Sequence, residues 1–354
     1  MKDSPLHADY RPRPAIRRIL VVGGIAAEME QLLPSVLSVF SGYRPEVDRD
    51  GTSGLRQPEF RFFTEGSPGS GDYDWADALA AFRPPPLFEP EKLNWIHALG
   101  AGVEDFVSRL QGVAGKDRPM LTRTTSVFGP IIAEYCLGHI LADMQNHRIY
   151  ARQQQHRQWK QHSPCRLADS RIFILGAGDI GSGIASVFTG MGCRVRGLAR
   201  TPGARKGFVS VYTPEDLRSG SPHAEELGEV LARADIVINI LPHTGETEGF
   251  MDEEFVSRLE GALFINAGRG SVIREDLLLQ ALNAGKIRRA VLDVFPKEPL
   301  QLQSPLWNRE DVVITPHVAG LTGAEDALRV LFQRLEAVSR GDIREYVVDI
   351  PRGY

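Results

Sequence analysis

Hydrophobic residues along this chain gather into short runs of strand length, separated by segments whose apolar positions recur every three or four residues. The first run, Ile19–Val22, is closed by Gly23-Gly24 and followed by a helical pattern over Glu28–Phe40. The stretch Arg44–Gly71, rich in Gly, Ser, Asp and Arg, reads as exposed loop, or as a disordered insert, around one strand at Phe60–Phe63. Ala78–Phe82 and Leu93–Leu99 read as buried strands on either side of the rigid Pro84-Pro85-Pro86, and this part ends at Gly100-Ala101-Gly102. A single long helix is predicted over Pro130–Trp159, apolar in its first half and rich in Gln, Arg and His in its second. Beyond it, Ile172–Leu175, Val195–Leu198, Asp235–Leu241, Leu263–Asn266, Ala290–Val294 and Val312–Thr315 are apolar runs. One intervening helix carries Ile180, Ile184, Val187, Phe188 and Met191 on one face; another spans Arg274–Ala284 with Gly285 as its C-terminal cap. Continuous apolar strands alternating with helices predict an α/β fold whose parallel sheet is covered on both faces.

Between the strands Ile172–Leu175 and Val195–Leu198 stands Gly176-Ala177-Gly178-Asp179-Ile180-Gly181. A GxGxxG pattern alone is weak, because glycine is common. Between a strand and a helix of a βαβ unit it has a mechanism. The first glycine makes the tight turn, the second lets a pyrophosphate approach the backbone, and the third lets helix and strand pack closely. The helix start adds free N–H groups for the anion. The expected ligand is a dinucleotide, held by Gly176, Gly178, Asp179, Ile180 and Gly181.

Length and composition narrow the class. The chain has 354 residues, enough for two domains with cores of their own. With 24% charged residues and a net charge of -4, nothing in the overall balance points to nucleic acid or an anionic membrane as partner. Cys136, Cys165 and Cys193 have neither disulfide-framework nor metal-site spacing, so a reducing compartment, the cytoplasm, and no metal are expected. No apolar run has the length of a bilayer span. The N-terminus lacks the apolar core of a secretion signal, and Asp3, Asp9, Pro5, Pro12 and Pro14 break any amphipathic presequence around Arg11, Arg13, Arg17 and Arg18. It reads as a solvated tail.

Ligands of parallel sheets bind beyond the carboxyl ends of the strands. Three of these strands each deliver one polar group there: Arg269 in Asn266-Ala267-Gly268-Arg269-Gly270, Glu298 in Asp293-Val294-Phe295-Pro296-Lys297-Glu298-Pro299, and His317 in Thr315-Pro316-His317. Singly, each has an ordinary structural explanation. Together, on an edge facing a dinucleotide, they suit hydride transfer to a ketone. The reaction needs a proton donor with a pKa near 7 at the oxygen. A carboxylate beside a histidine favours the imidazolium, raises its pKa and fixes the ring. An arginine fork can hold the carboxylate of an α-keto acid. Gly100-Ala101-Gly102 offers backbone N–H donors.

With these motifs in this order, the chain resembles the D-isomer-specific 2-hydroxyacid dehydrogenases. The likeness is carried by Arg171–His317 and extended by His97–Phe106 (HALGAGVEDF) and the ending Arg352–Tyr354 (RGY), which point to the glyoxylate/hydroxypyruvate reductase A branch. The resemblance implies two Rossmann-like lobes with doubly wound parallel sheets and the active site in the cleft between them. The outer, substrate-binding lobe would take residues 1–123 and 318–354, and the dinucleotide-binding lobe 124–317. It implies Arg269 as binder of carboxylate and carbonyl, Glu298 as partner raising the histidine pKa, and His317 as acid/base. Asp293 would lie near the nicotinamide carboxamide. Leu241, Pro242, Thr247 and Ala267, together with Arg269 and His317, would complete the cofactor contacts. Gly100, Ala101, Gly102 and Arg269 would meet the substrate. It further implies a homodimer across the long crossover helix, with Trp159 either reaching the partner's site or packing as an amphipathic side chain on its own subunit. The chain departs from the family mainly between Arg44 and Asp74.

Rossmann sites selective for NAD carry an acid at the end of the second strand. Here Ala199 stands in that position, followed by Arg200, Thr201, Arg205 and Lys206. A missing carboxylate and added cations favour NADP(H), with NAD(H) as the alternative. The expected activity is NADPH-dependent reduction of glyoxylate, hydroxypyruvate or a similar small 2-keto acid. Two alternatives share the motifs: a dinucleotide-gated binding protein of the corepressor kind, and a dehydrogenase acting on a non-hydroxyacid such as formate or phosphite.

Overall fold

Each predicted apolar run contains a strand in the structure, a computed structural model that describes residues 16–40, 57–64, 66–341 and 346–353. In chain order the elements are β1 (Arg18–Val22), α1 (Ala26–Val39), β2 (Glu59–Phe63), α2 (Ser70–Trp75), β3 (Ala78–Ala81), β4 (Trp95–Ala98), α3 (Glu104–Leu110) and β5 (Met120–Arg123). There follow α4 (Phe128–Met144), α5 (His147–Gln155), β6 (Arg171–Leu175), α6 (Asp179–Gly190), β7 (Arg194–Leu198), β8 (Ser210–Tyr212), α7 (Ala224–Ala232) and β9 (Ile236–Asn239). The last are α8 (Glu253–Ser257), β10 (Ala262–Asn266), α9 (Glu275–Asn283), β11 (Ile287–Leu292), β12 (Val312–Ile314) and α10 (Ala324–Arg340). The predicted N-terminal tail before residue 16, residues 44–56 and 65 of the Arg44–Gly71 stretch, and the final Tyr354 lie outside the described residues. The chain divides into two compact units. One runs to Thr125 and resumes at Thr322; the other is Ser126–Leu321.

In the first unit five parallel strands take the order β2-β1-β3-β4-β5. Helix α10 returns to this unit and places Ala327, Leu328, Leu331 and Leu335 in one core with Ile19, Val21, Met29 and Leu99. Buried in β4 is His97, whose Nδ1 meets Thr122 Oγ1 at 2.9 Å and whose Nε2 meets Thr124 Oγ1 at 3.2 Å. Burial, and then the charge of Arg334, depress its pKa from 6.5 to about 3. The ring is therefore neutral when folded and takes a proton on unfolding between these pH values. The unfolded state binds more protons there, so stability falls as pH drops from 6.5 toward 3. Urea unfolding as a function of pH should show this loss, and His97→Gln should flatten it. An equal slope in both proteins would assign the acid lability elsewhere.

The second unit holds seven parallel strands in the order β12-β11-β10-β9-β6-β7-β8. The chain builds outward from β6 in both directions, so the order reverses between β6 and β9, where a crevice for a ligand opens in such sheets. Helix α6 buries Gly181, Ile184, Ala185 and Phe188. Met191, expected on that face, is exposed because it is already the C-cap residue. Gly285 takes φ +70° after α9, the left-handed cap expected of it.

The long helix predicted over Pro130–Trp159 is two helices. Asn146 adopts φ +58° between α4 and α5, a conformation asparagine tolerates, and its amide reaches the Ser163 carbonyl at 3.4 Å. The second helix stops at Gln155, where the His156 Nδ1 and N–H both meet the Arg152 carbonyl and Arg157 turns to φ +54°. Trp159 thus follows a helix rather than ending one.

Candidate active site

Leaving β6, the chain turns at Gly176, φ +108°, where the N–H groups of Gly176 and Ala177 both donate to the Leu198 carbonyl at 3.0 and 2.8 Å. A Cβ on Gly181 would overlap the Gly176 carbonyl oxygen, so the third glycine is what lets α6 start this close to β6. Gly178 differs: a Cβ there would meet nothing within 4 Å. It is the N-cap of α6 and borders open space, the arrangement a pyrophosphate needs at a helix start. The Asp179 carboxylate accepts the Ser126 N–H at 2.7 Å. It pins the incoming chain to the first turn of α6.

Beyond β7, the Ala199 N–H donates to the Tyr212 carbonyl at 2.8 Å, and no acid stands at this strand end. Arg200 and Thr201 are exposed, and Arg205 donates to the Thr201 carbonyl at 3.3 Å and hydroxyl at 3.1 Å. The loop therefore presents a structured basic turn.

Two buried asparagines that the sequence reading gave no role shape the next two strand ends. Asn239 donates from Nδ2 to Asn266 Oδ1 at 2.8 Å, and its own Oδ1 takes the Leu241 N–H at 3.1 Å. The Ala267 N–H donates to the Asn239 carbonyl at 3.1 Å, and Asn266 Nδ2 donates to the Arg269 carbonyl at 3.1 Å. The Thr247 hydroxyl closes its loop by donating to the Pro242 carbonyl at 2.6 Å. Side-chain amides thus hold Leu241 and Arg269, a backbone bond holds Ala267, and the Thr247 hydroxyl ties Thr247 to Pro242.

Register brings the three candidate groups to that same edge. Asn266 pairs with Leu292, and Leu292 with Ile314, so β10, β11 and β12 end level. A Cβ on Gly270 would overlap the Phe295–Pro296 peptide, so the loop of Arg269 lies directly on the loop that leads to Glu298. Glu298 anchors itself by accepting the Phe295 N–H at 3.0 Å and takes the His317 Nδ1–H at 2.8 Å. The carboxylate can only accept, so Nδ1 carries the hydrogen and Nε2 is left as the exchanging atom. The imidazole is 49% exposed and Glu298 33%. Arg269 donates from Nη1 to the Gly268 carbonyl at 2.8 Å. Such an edge can move a proton at one point and hold an anion at another.

Other expected contacts stand apart. Gly100, Ala101 and Gly102 belong to the first unit, where the Ala101 carbonyl accepts from Arg123 at 3.1 Å and the Phe82 ring lies 3.5 Å from a Cβ placed on Gly100. Trp159 is 98% exposed, so its indole is not packed among the described residues. A cavity of about 880 Å³ opens at the other end of the seven-stranded sheet, beside Arg171, Asp235 and Arg288. Among the arginines that line it, Arg171 pairs with Asp235 at 2.8 Å, and Arg288 and Arg289 share Asp143 at 2.7 and 2.9 Å.

Comparison with known proteins assigns the chain to a family. Residues 137–319, just over half of the chain, match the profile of the D-isomer specific 2-hydroxyacid dehydrogenase, NAD binding domain. The chain belongs to the D-isomer specific 2-hydroxyacid dehydrogenase family. It is an NAD(P)-dependent oxidoreductase. Among solved dehydrogenases of this family, one from Xanthobacter autotrophicus Py2, in complex with NADPH and MES, is 28% identical, with a TM-score of 0.74 over 96% of this chain and 100% of that one. A family protein from Aeromonas salmonicida subsp. salmonicida A449 is 28% identical, with a TM-score of 0.73 over 95% and 100%. An NADPH-dependent glyoxylate/hydroxypyruvate reductase from Sinorhizobium meliloti, in complex with NADP and sulfate, is 25% identical, with a TM-score of 0.71 over 96% and 100%. No helix of the described residues is long and apolar enough to cross a membrane.

Proposed function

We propose that this dehydrogenase reduces a small 2-keto acid, glyoxylate, hydroxypyruvate or a near relative, to the 2-hydroxy acid with NADPH. The observation that carries the reading is the 2.8 Å His317–Glu298 pair on the strand-end edge that also bears Arg269. Bound reduced nicotinamide supplies the hydride that adds to the substrate's carbonyl carbon. His317 gives the Nε2 proton to the carbonyl oxygen as the C–O bond becomes single, and regains it from solvent. Glu298 keeps the ring in the tautomer and orientation this requires. Arg269 holds the substrate carboxylate with its planar fork and polarises the carbonyl. The unit that ends at Thr125 and resumes at Thr322 serves as the substrate lobe, with Gly100-Ala101-Gly102 as its contact loop. A homodimer in the cytoplasm completes the reading, with Trp159 given to the partner subunit's site. An indole not packed among the described residues supports that last role.

Preference for NADPH rests on Ala199 and Arg200. Two relatives with solved structures, from Xanthobacter and Sinorhizobium, were captured with NADPH or NADP, which supports it. The test is kcat/KM for both cofactors with glyoxylate, hydroxypyruvate and phenylpyruvate. A hydrogen bond to a charged group contributes about 1.5–3 kcal/mol, or roughly 10- to 150-fold in affinity. Arg200→Ala should therefore raise KM for NADPH by that order and change KM for NADH little. Ala199→Asp should go further by repelling the 2′-phosphate. Equal use of NADH by the unaltered enzyme would overturn the preference. Tight cofactor binding with no turnover of any acid would favour a dinucleotide-gated binding protein.

A further inference from the structure

His317 sits at φ +55°, in the left-handed region that few residues with a side chain adopt, histidine more readily than most. The backbone of this turn is bonded to Asp293. The Asp293 carbonyl accepts the His317 N–H at 2.9 Å, Oδ1 accepts the Val318 N–H at 2.8 Å, and Oδ2 accepts the Ala319 N–H at 2.9 Å. One buried aspartate thus gathers consecutive amides of the histidine turn.

Asp293 is itself held from behind. Thr315 Oγ1 lies 2.6 Å from Asp293 Oδ1, and the Tyr135 hydroxyl lies 2.7 Å from Thr315 Oγ1. A carboxylate only accepts, so Thr315 must donate to it, and Tyr135 must then donate to Thr315. The direction of the chain is fixed from the helix inward: Tyr135 on α4, Thr315 after β12, Asp293 after β11. Burial pushes the Tyr135 hydroxyl pKa upward, which keeps it a donor.

We propose that Thr315 and Tyr135 are positioning residues for His317, acting through Asp293 to hold the histidine turn in its left-handed form. This rests on His317 as the proton donor. Thr315 carries the greater weight, because it touches Asp293 directly; Tyr135 orients the threonine hydroxyl.

The experiment uses the full chain with ¹³C-labelled histidine and reads ring resonances alongside kinetics. Nine histidines are present, and the His317 signal is the one lost in His317→Ala. Thr315→Val, which keeps shape and removes the hydroxyl, should displace the His317 signal and leave the others in place. Thr315→Ser should restore it, and Tyr135→Phe should displace it less. In turnover, Thr315→Val should lower kcat by roughly 10- to 100-fold, the scale of a misplaced catalytic group. KM for the keto acid and the dissociation constant for NADPH should stay within about twofold, because only the reacting proton is misplaced. In a His317→Ala background the same change should cost nothing further, because the residue it positions is gone. An unmoved His317 signal in Thr315→Val, or an equal loss of rate in both backgrounds, would overturn the proposal. Normal turnover in His317→Ala would remove the proton-donor reading instead, while the ring signals still decide whether Thr315 holds the turn.

Discussion

His317→Ala should lower kcat for reduction by roughly 10²–10⁴-fold while leaving NADPH affinity nearly unchanged, the range that general acid catalysis contributes. Two hydrogen bonds hold the residue: Nδ1 to Glu298 at 2.8 Å and the backbone N–H to the Asp293 carbonyl at 2.9 Å. Removing the ring deletes the donor without touching the Gly176–Gly181 turn or the loop after β7. Single-turnover rates and cofactor fluorescence would separate the two effects. Near-normal single-turnover rates would sink the mechanism. Glycine at 317 suits φ +55° better than histidine does, so His317→Gly should lose activity without loss of thermal stability.

Arg269→Ala should lower kcat/KM for keto acids by a similar amount. Two charge-assisted hydrogen bonds at about 1.5–3 kcal/mol each amount to roughly 10²–10⁴-fold. Lysine should recover only a part, since one ammonium cannot reproduce a planar fork. The comparison that isolates an anchor is between a keto acid and its methyl ester. The unaltered enzyme should discriminate strongly between them, and Arg269→Ala weakly. Equal discrimination by both proteins would make Arg269 a structural residue.

Except for β5 and β8, for which no run was named, the strands of this protein could be read from sequence because a parallel sheet buries both faces of its inner strands. Val237, Ile238, Phe264 and Ile265 have no polar alternation to hide among. The glycines of the dinucleotide turn were legible for a steric reason, and the structure gives each the room or closeness expected. Helix α10 was not read, although its buried Ala324, Ala327, Leu328, Leu331 and Leu335 recur at helical spacing. The break at Asn146 was invisible, because asparagine is ordinary inside a polar helix until its backbone turns left-handed. At the site, strand ends announced Arg269, Glu298 and His317. Asn239 and Tyr135 did not announce themselves. One closes an apolar strand and the other sits in an apolar helix, and both matter through neighbours that only folding supplies.

The crossing of α4 over α6 has its own consequence. A Cβ on Gly129 would come within 2.8 Å of the Gly183 Cα, and one on Gly183 within 2.7 Å of the Gly129 Cα. Backbone lies on backbone, with no side chain between to yield. The exposed side chains Arg200 and Thr201 can change without meeting such a contact. Evolution cannot drift at residues 129 and 183 one step at a time, since a first methyl at either would already lever apart the two helices. Although no dinucleotide signature includes them, these two positions should be as invariant among functional descendants of this chain as the fingerprint glycines themselves. A library meant to retune cofactor choice gains by leaving them fixed.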